Sequence, residues 1–173
     1  MTTKVKEQQF ISLVERLASL LQERNYTLSI AESCTGGLLG HTLTNLAGSS
    51  SWFKGGVIAY ANEIKERVLN VDQNILKQNG AVSAKCVHAM VKGVTKLFNT
   101  ETGIAFSGIA GPGGGSPLKP VGTVYAGFYL KDRIWTQKFF FSGSREEIKS
   151  QTVYVGLNEL ILLLQKSTSS NQV

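Results

Sequence analysis

The stretch TLSIAESCTGGLLGHTLTNL, residues 27–46, decides the fold of this chain. Its first part, residues 27–31, is a short run of mostly β-favouring apolar residues, which predicts a buried strand. Gly36 and Gly37 then interrupt the pattern, and residues 38–46 follow as a predicted helix. A strand, a sharp turn and a helix in this order are typical of α/β proteins.

Further helices and strands lie on both sides of that stretch. An apolar stripe at helical spacing predicts a first helix that ends near Asn25. The later patterns predict a strand over residues 55–60, a helix capped by Asn62, a short helix after Asp72, a longer helix opened by Ser83, a strand over residues 102–109, a β-hairpin of residues 121–130 and 134–141, and a last helix opened by Ser144 and Glu147. This order predicts a single three-layer α/β/α domain with a mixed, mainly parallel sheet.

The length of 173 residues suits one domain with a real hydrophobic core. No linker, internal repeat or low-complexity segment divides the chain. We therefore expect one domain over residues 1–166, followed by a polar tail over residues 167–173.

Composition and charge exclude several classes of function. The net charge of +6 favours anionic partners, but the basic residues are scattered, which fits a small phosphorylated ligand better than a nucleic acid. No apolar run is long enough to span a bilayer, and the start lacks a secretory signal, so we expect a cytoplasmic protein without a membrane partner. Cys34 and Cys86 are far apart in sequence and near no histidine pair, so we expect reduced thiols and no metal site.

Ser33, in the turn after the first strand, is a candidate nucleophile. Gly36 and Gly37 would let main-chain amides approach a ligand at a helix N-terminus, where an oxyanion or a phosphate can be held. The alternative is that Ser33 only caps the helix that follows it. Cys34 is a rival nucleophile, because a thiol at a helix N-terminus would have a lowered pKa.

A serine hydroxyl needs a proton acceptor, and the two histidines are poorly placed to supply one. His41 and His88 both lie inside predicted helices, where a surface or packing role is the simpler interpretation. Lys65 can act instead if Asn62 caps its helix, because the helix dipole and burial beneath Tyr60 would both lower the lysine pKa. The alternative is that Lys65 is one more exposed helical lysine, and its spacing alone favours that alternative.

Residues 111–116, GPGGGS, form the most unusual segment of the chain. They match neither a Walker loop nor GxGxxG, but a glycine run can still point several amides at an anion. The alternative is a flexible connection without a ligand. Arg145, directly after Ser144, could bind a phosphate bidentately or could pair with nearby carboxylates.

Together these motifs resemble the CinA C-terminal domain family over nearly the whole chain. The residues that carry the resemblance are AESCTGG at 31–37, GVIAY at 56–60 with Asn62 and Lys65, GIAGPGG at 108–114, KPVGTV at 119–124, and Gly143 with Arg145. Longer members of that family have an additional N-terminal domain of the molybdopterin-binding type, and the motifs here match the amidase-like part.

The resemblance implies a nicotinamide-nucleotide amidase, which converts nicotinamide mononucleotide to nicotinic acid mononucleotide and ammonia in pyridine-nucleotide salvage, without a cofactor. It implies Ser33 as nucleophile, Lys65 as base and Tyr60 as a supporting hydroxyl. It also implies a homodimer and these substrate contacts: Thr35, Gly36, Gly37, Asn62, Gly111, Gly113, Gly114 and Arg145.

Two other functions remain open from the sequence. The same site could hydrolyse another small amide or nucleotide derivative. The chain could also be a non-catalytic module that binds a nucleotide for regulation, with Ser33 reduced to a cap.

Overall fold

The computed structural model describes the backbone of residues 3–169 and the side chains of residues 8–167. Its elements, in chain order, are α1 (Thr3–Gln22), β1 (Leu28–Glu32), α2 (Leu38–Thr44), a 3-10 turn (Ser49–Ser51), β2 (Phe53–Ile58), α3 (Asn62–Leu69), α4 (Gln73–Asn79), α5 (Ala84–Phe98), β3 (Thr102–Gly108), β4 (Thr123–Leu130), β5 (Arg133–Phe140) and α6 (Arg145–Ser169). Residues 170–173 of the predicted polar tail lie outside the described residues, so the boundary at residue 167 stays a prediction.

The five strands form one mixed sheet in the order β2-β1-β3-β4-β5. β1 pairs in parallel with both β2 and β3, whereas β4 is antiparallel to β3 and β5 is antiparallel to β4. Four strands therefore run in one direction and only β4 opposes them. The predicted hairpin is confirmed, and its turn is Lys131 and Asp132, both with positive φ, as tight two-residue hairpins require.

Helices cover both faces of the sheet, which confirms the predicted α/β fold. α1, α2 and α6 pack on one face, and α5 packs on the other together with α3 and α4. Alternate strand residues face opposite sides, so Ile30 lies in the core beside α2 while Ala31 lies in the core under α5.

The face that carries α5 has small residues, and α5 approaches the sheet closely. A Cβ on Gly103 would lie 2.4 Å from the Thr95 Cγ2 atom, and one on Gly127 would lie 2.5 Å from the Val87 carbonyl oxygen. α3 approaches α5 just as closely, because a Cβ on Gly93 would lie 2.0 Å from the Leu69 carbonyl oxygen. These contacts hold α3, which carries Lys65, firmly beside the carboxyl ends of the strands.

Candidate active site

A cavity of about 210 Å³ opens where the carboxyl ends of β1 and β3 meet the segment after β2. Ligands of open α/β sheets usually bind in this position, because the loops of several strands converge there. The cavity is lined by Ser33, Cys34, Tyr60, Asn62, Lys65, Ala81, Val82, Ser107, Gly108, Ala110 and Arg145. Five of the predicted site residues, namely Ser33, Tyr60, Asn62, Lys65 and Arg145, are thus brought together.

Ser33 is held at the end of β1 by its main chain. Its N–H donates to the Phe106 carbonyl over 3.0 Å, which extends the pairing of β1 with β3, and its carbonyl accepts from the Gly36 N–H over 3.2 Å. Its side chain is only 9% exposed and faces the cavity. Within residues 8–167 no protein partner of the Ser33 hydroxyl is found, so the hydroxyl is available to a ligand.

Glu32, and not Ser33, caps α2. The Glu32 carboxylate is 1% exposed and accepts hydrogen bonds from the amides of Gly37 (3.1 Å), Leu39 (3.1 Å) and Gly40 (2.8 Å). A buried carboxylate that accepts several main-chain amides is well compensated for its loss of water. The capping alternative for Ser33 is therefore wrong, because the amides in question already have an acceptor.

The turn after Ser33 consequently differs from the expected anion site. Gly36 and Gly37 have φ values of 60° and 97°, which glycine adopts without strain. However, the Gly36 amide donates within the turn and the Gly37 amide donates to Glu32. Neither amide is free for an oxyanion or a phosphate in this conformation. Thr35 is completely buried and does not line the cavity.

Lys65 is a buried lysine at the floor of the site. It is 1% exposed, and its Nζ donates to the carbonyls of Ala59 (2.8 Å) and Tyr60 (3.2 Å). Among the described side chains no carboxylate lies close enough to neutralise it. Burial lowers the Lys65 pKa from its ordinary value near 10.5, and this effect exceeds the opposing influence of the Cys86 and Cys34 thiols. The interpretation of Lys65 as an ordinary exposed helical lysine is wrong.

The cap of α3 was predicted one residue too late. Ala61 occupies the N-cap, and its carbonyl accepts from the Lys65 amide over 3.3 Å, whereas Asn62 is the first helical residue. No side chain caps this helix. Asn62 therefore leaves its amide side chain exposed at the cavity.

Arg145 connects two of the loops around the cavity. Its Nη1 donates to the Gly111 carbonyl over 2.8 Å, and its Nη2 donates to the Tyr60 hydroxyl over 2.8 Å. The glycine-rich loop is thereby attached to the site through Gly111, while Gly113 and Gly114 are exposed and do not line the cavity.

The rival nucleophile Cys34 lines the cavity, but its side chain is buried. Burial is the main cause that raises the pKa of its thiol to about 12, and Cys86, also buried, has a pKa of about 11. A thiol with such a pKa carries almost no thiolate at neutral pH. His41 and His88 lie in α2 and α5, and neither lines the cavity. In the described part of the chain no three His, Cys, Asp or Glu residues form a group that could hold a metal ion.

Several site features had no usable sequence signal. Ser107 donates to the Ala81 carbonyl over 2.8 Å and so fixes the Ala81–Val82 wall of the cavity. Lys119 ties the glycine-rich loop to the end of α4 by donating to the Asn79 carbonyl over 2.8 Å. The motif KPVGTV drew attention to Lys119, but its partner 40 residues away could not be read from the sequence.

The fold and this cavity define a mixed-sheet α/β protein with a polar site at the carboxyl ends of its parallel strands. Among known families, the profile of the CinA C-terminal domain matches residues 11–164. The chain belongs to the CinA C-terminal domain family.

Relatives and solved structures agree with that assignment. A CinA-like protein of Dictyoglomus thermophilum is 45% identical over 152 residues, which cover 88% of this chain and 36% of that protein. A CinA superfamily protein of Klebsiella pneumoniae has a TM-score of 0.88 at 35% identity, covering 91% of this chain and 98% of the other. A competence/damage inducible protein of Agrobacterium tumefaciens has a TM-score of 0.87 at 34% identity, covering 90% and 95%.

The chain spans about a third of the length of the curated relatives that it matches. In the described residues no helix is long and apolar enough to cross a membrane.

Proposed function

We propose that the protein hydrolyses the carboxamide of nicotinamide mononucleotide, with Ser33 as nucleophile and Lys65 as its proton acceptor. The observation that carries this proposal is that a serine hydroxyl without a protein partner and a buried lysine with a lowered pKa line the same small cavity. Serine needs a base to attack an amide, and a lysine can act as that base only when it is neutral near working pH.

The hydrogen bonds of Lys65 orient its amine for this role. A neutral amine has two hydrogens and one lone pair around nitrogen. The carbonyls of Ala59 and Tyr60 accept the two hydrogens, over 2.8 and 3.2 Å. The remaining position, the lone pair, is then free to take a proton from the cavity. These two carbonyls would thus fix the direction of proton transfer.

In the proposed reaction, Ser33 Oγ forms a bond to the amide carbon while its proton moves to Lys65 Nζ. The C–N bond then breaks, Lys65 returns the proton to the departing nitrogen, and ammonia leaves. Water adds to the ester carbon and gives its proton to Lys65. The bond from that carbon to Ser33 Oγ then breaks and Lys65 returns the proton to Oγ, which releases the acid and restores both residues. The cycle consumes one water and needs no cofactor.

The oxyanion donors proposed here are the amides of Cys34 and Thr35. They follow the nucleophile directly, and within residues 3–169 neither has a main-chain acceptor. Donors held in place before reaction stabilise the tetrahedral intermediate without reorganisation. A role for Thr35 through its N–H is compatible with the burial of its side chain.

The remaining contacts in the proposal come from the rim of the cavity. Asn62 is suited to hydrogen-bond the carboxamide, and Arg145 lines the cavity while its guanidinium holds the Gly111 carbonyl. We retain a homodimer and a cytoplasmic location as predictions, and the mass of the purified protein by light scattering checks the former.

The test is ammonia release from nicotinamide mononucleotide by wild type, Ser33→Ala and Lys65→Met. Methionine keeps most of the volume of the buried lysine, so loss of activity in that variant reports on the amine. Turnover by wild type and its loss by more than about 1,000-fold in both variants, with unchanged circular dichroism, would support the proposal. A folded wild-type protein that releases no ammonia would contradict it, and release from other amides only would favour a different amidase.

A further inference from the structure

Lys149, in the second turn of α6, lies beside the loop that follows Ser33. Its Nζ is 3.9 Å from the point where a Cβ on Gly36 would be. The ammonium is therefore next to the Gly36 main chain, three residues after the candidate nucleophile. The side chain is half-buried, so its position is restricted by its neighbours.

Among the described side chains no carboxylate forms an ion pair with the Lys149 ammonium. Within residues 8–167 it forms neither an ion pair nor a hydrogen bond through its side chain. Glu32 caps α2 and Glu147 accepts from the Ser144 amide over 2.8 Å, while Glu146, three residues before Lys149, forms no ion pair with it. A half-buried ammonium without an anion is a suitable partner for an anionic ligand.

Arg145 precedes Lys149 by one helical turn, so the two cations lie on the same face of α6. Arg145 lines the cavity and binds the Gly111 carbonyl, whereas Lys149 lies by Gly36. From this face of α6, Arg145 therefore reaches the glycine-rich loop at the cavity and Lys149 reaches the turn after Ser33. The N-terminus of α6 adds a partial positive charge to the same region.

The size of the cavity determines which part of a ligand can reach these cations. A volume of about 210 Å³ lies below the range of roughly 300–1,000 Å³ for sites that enclose drug-sized ligands. The cavity can hold a carboxamide and its ring, but the rest of a nucleotide must extend outside.

Ile58, which is 55% exposed, contacts the turn after Ser33, since its Cδ1 is 3.2 Å from the point where a Cβ on Gly37 would be.

We propose that Lys149 binds the phosphate monoester of a ligand whose amide end occupies the Ser33 cavity. This inference rests on the proposed function for the identity of the ligand. A side chain must bind the phosphate here, because the Gly36 and Gly37 amides already have acceptors in the protein. Lys149 supplies the charge, Gly36 allows close approach because it has no side chain, and the exposed Ile58 lies against the same turn at Gly37.

The experiment compares binding of nicotinamide mononucleotide and nicotinamide riboside, which differ only in the phosphate. Binding is measured by calorimetry on Ser33→Ala, which cannot turn the ligands over under the proposed mechanism, with and without Lys149→Met. We expect the preference for the phosphorylated ligand to fall about tenfold in Lys149→Met, as for loss of one charge-assisted contact. Lys149→Arg should restore most of it, and Lys92→Met, an exposed lysine on α5, should leave it unchanged.

An unchanged phosphate preference in folded Lys149→Met would overturn the inference. So would a parent protein that binds both ligands equally well or binds neither. Competition between ribose 5-phosphate and nicotinamide mononucleotide for the wild-type protein gives a second measurement that does not depend on the Ser33 variant. The apparent affinity for ribose 5-phosphate should fall about tenfold in Lys149→Met. Because binding is measured without turnover, a protein that releases no ammonia but shows this Lys149-dependent preference would contradict the proposed function and still support the subsite.

Discussion

Arg145 donates a hydrogen bond from Nη2 to the Tyr60 hydroxyl over 2.8 Å, although 85 residues separate them in sequence. The other terminal nitrogen of the same guanidinium holds the Gly111 carbonyl over 2.8 Å. One planar group thus binds both the segment after β2 and the start of the glycine-rich loop, and so fixes the distance between them. Tyr60 itself is 60% exposed, so little else holds its ring.

The first prediction concerns this connection. Tyr60→Phe removes one hydrogen bond, and Arg145→Lys replaces a two-pronged donor by a single ammonium that cannot reproduce the planar geometry. We expect each variant to lower kcat/KM for the amide substrate by about tenfold. Because both remove the same connection, the double variant should lose much less than the product of the two effects.

Steady-state kinetics on the two single variants and the double variant measure this coupling. Tyr154→Phe on α6 is the matched control, since its hydroxyl lies outside the cavity. Fully multiplicative effects would show that Tyr60 and Arg145 act independently, contrary to the prediction.

The second prediction is the pH dependence of catalysis. Burial lowers the Lys65 pKa below its ordinary value near 10.5, and only the neutral amine can accept the Ser33 proton. As pH rises through the lowered pKa, the neutral fraction increases. We therefore expect kcat/KM to rise with pH and to reach half of its limiting value below pH 10.5. A rate profile over about pH 6 to 10 with a pH-stable buffer mixture measures it.

A profile that falls over the alkaline limb would contradict Lys65 as the base, because a protonated lysine would then be the active form. Lys65→Met serves as the background measurement, and its residual rate should not show the same rise. Circular dichroism at each pH separates loss of activity from loss of structure.

The third prediction concerns the thiols. Since burial raises the pKa of Cys34 to about 12 and that of Cys86 to about 11, both remain protonated at neutral pH. Iodoacetamide should label neither cysteine in the native protein and both in urea, as mass spectrometry can show. Cys34→Ala should retain at least about half of the wild-type kcat, because in the proposed mechanism the thiol takes no part. Rapid native labelling at Cys34, or an inactive folded Cys34→Ala, would restore the cysteine as a candidate nucleophile.

Much of the fold could be predicted because its signals are local. The strand, turn and helix of residues 27–46, the apolar stripes of the helices and the polar break at Lys131 and Asp132 all lie within a few residues of each other. Ser33 could likewise be located at the end of a strand. The predicted N-cap of α3, Asn62, was wrong by one residue. Ala61 occupies the N-cap, and because no side chain caps this helix, the usual sequence signal of a cap residue is missing.

The contacts that complete the site could not be predicted, because they depend on tertiary structure. Arg145 reaches Tyr60 and Gly111 only after α6 has docked beside β3 and β4, and Lys65 is buried where α3 packs against Gly93 of α5. Glu32 gave no recognisable capping pattern either. Cap residues are expected at the helix start, but Glu32 lies five residues before the N-cap Gly37 and reaches it across the turn.

The last prediction tests Glu32 as the group that holds the nucleophile turn in shape. In Glu32→Gln the remaining carbonyl oxygen can keep the amides of Gly37 and Leu39, which share one oxygen in the structure. In the wild type the Gly40 amide donates to the other carboxylate oxygen over 2.8 Å. In the variant the new NH2 group takes the place of that oxygen, so two donors oppose each other. An unpaired buried amide costs about 1–3 kcal/mol, and we expect the free energy of unfolding in urea to fall by that amount.

The catalytic consequence of Glu32→Gln separates a general loss of stability from a local one. The Gly37 amide follows Ser33 by four residues, so a looser turn moves the hydroxyl and the neighbouring Cys34 and Thr35 amides relative to the substrate. We expect kcat to fall about tenfold or more with little change in KM, since misaligned groups weaken the transition state more than ground-state binding. Glu15→Gln, an exposed carboxylate on α1, is the matched control for the loss of one negative charge. If Glu32→Gln keeps both the wild-type unfolding free energy and the wild-type kcat, the three hydrogen bonds of Glu32 do not control the turn, because they could then be lost without moving Ser33.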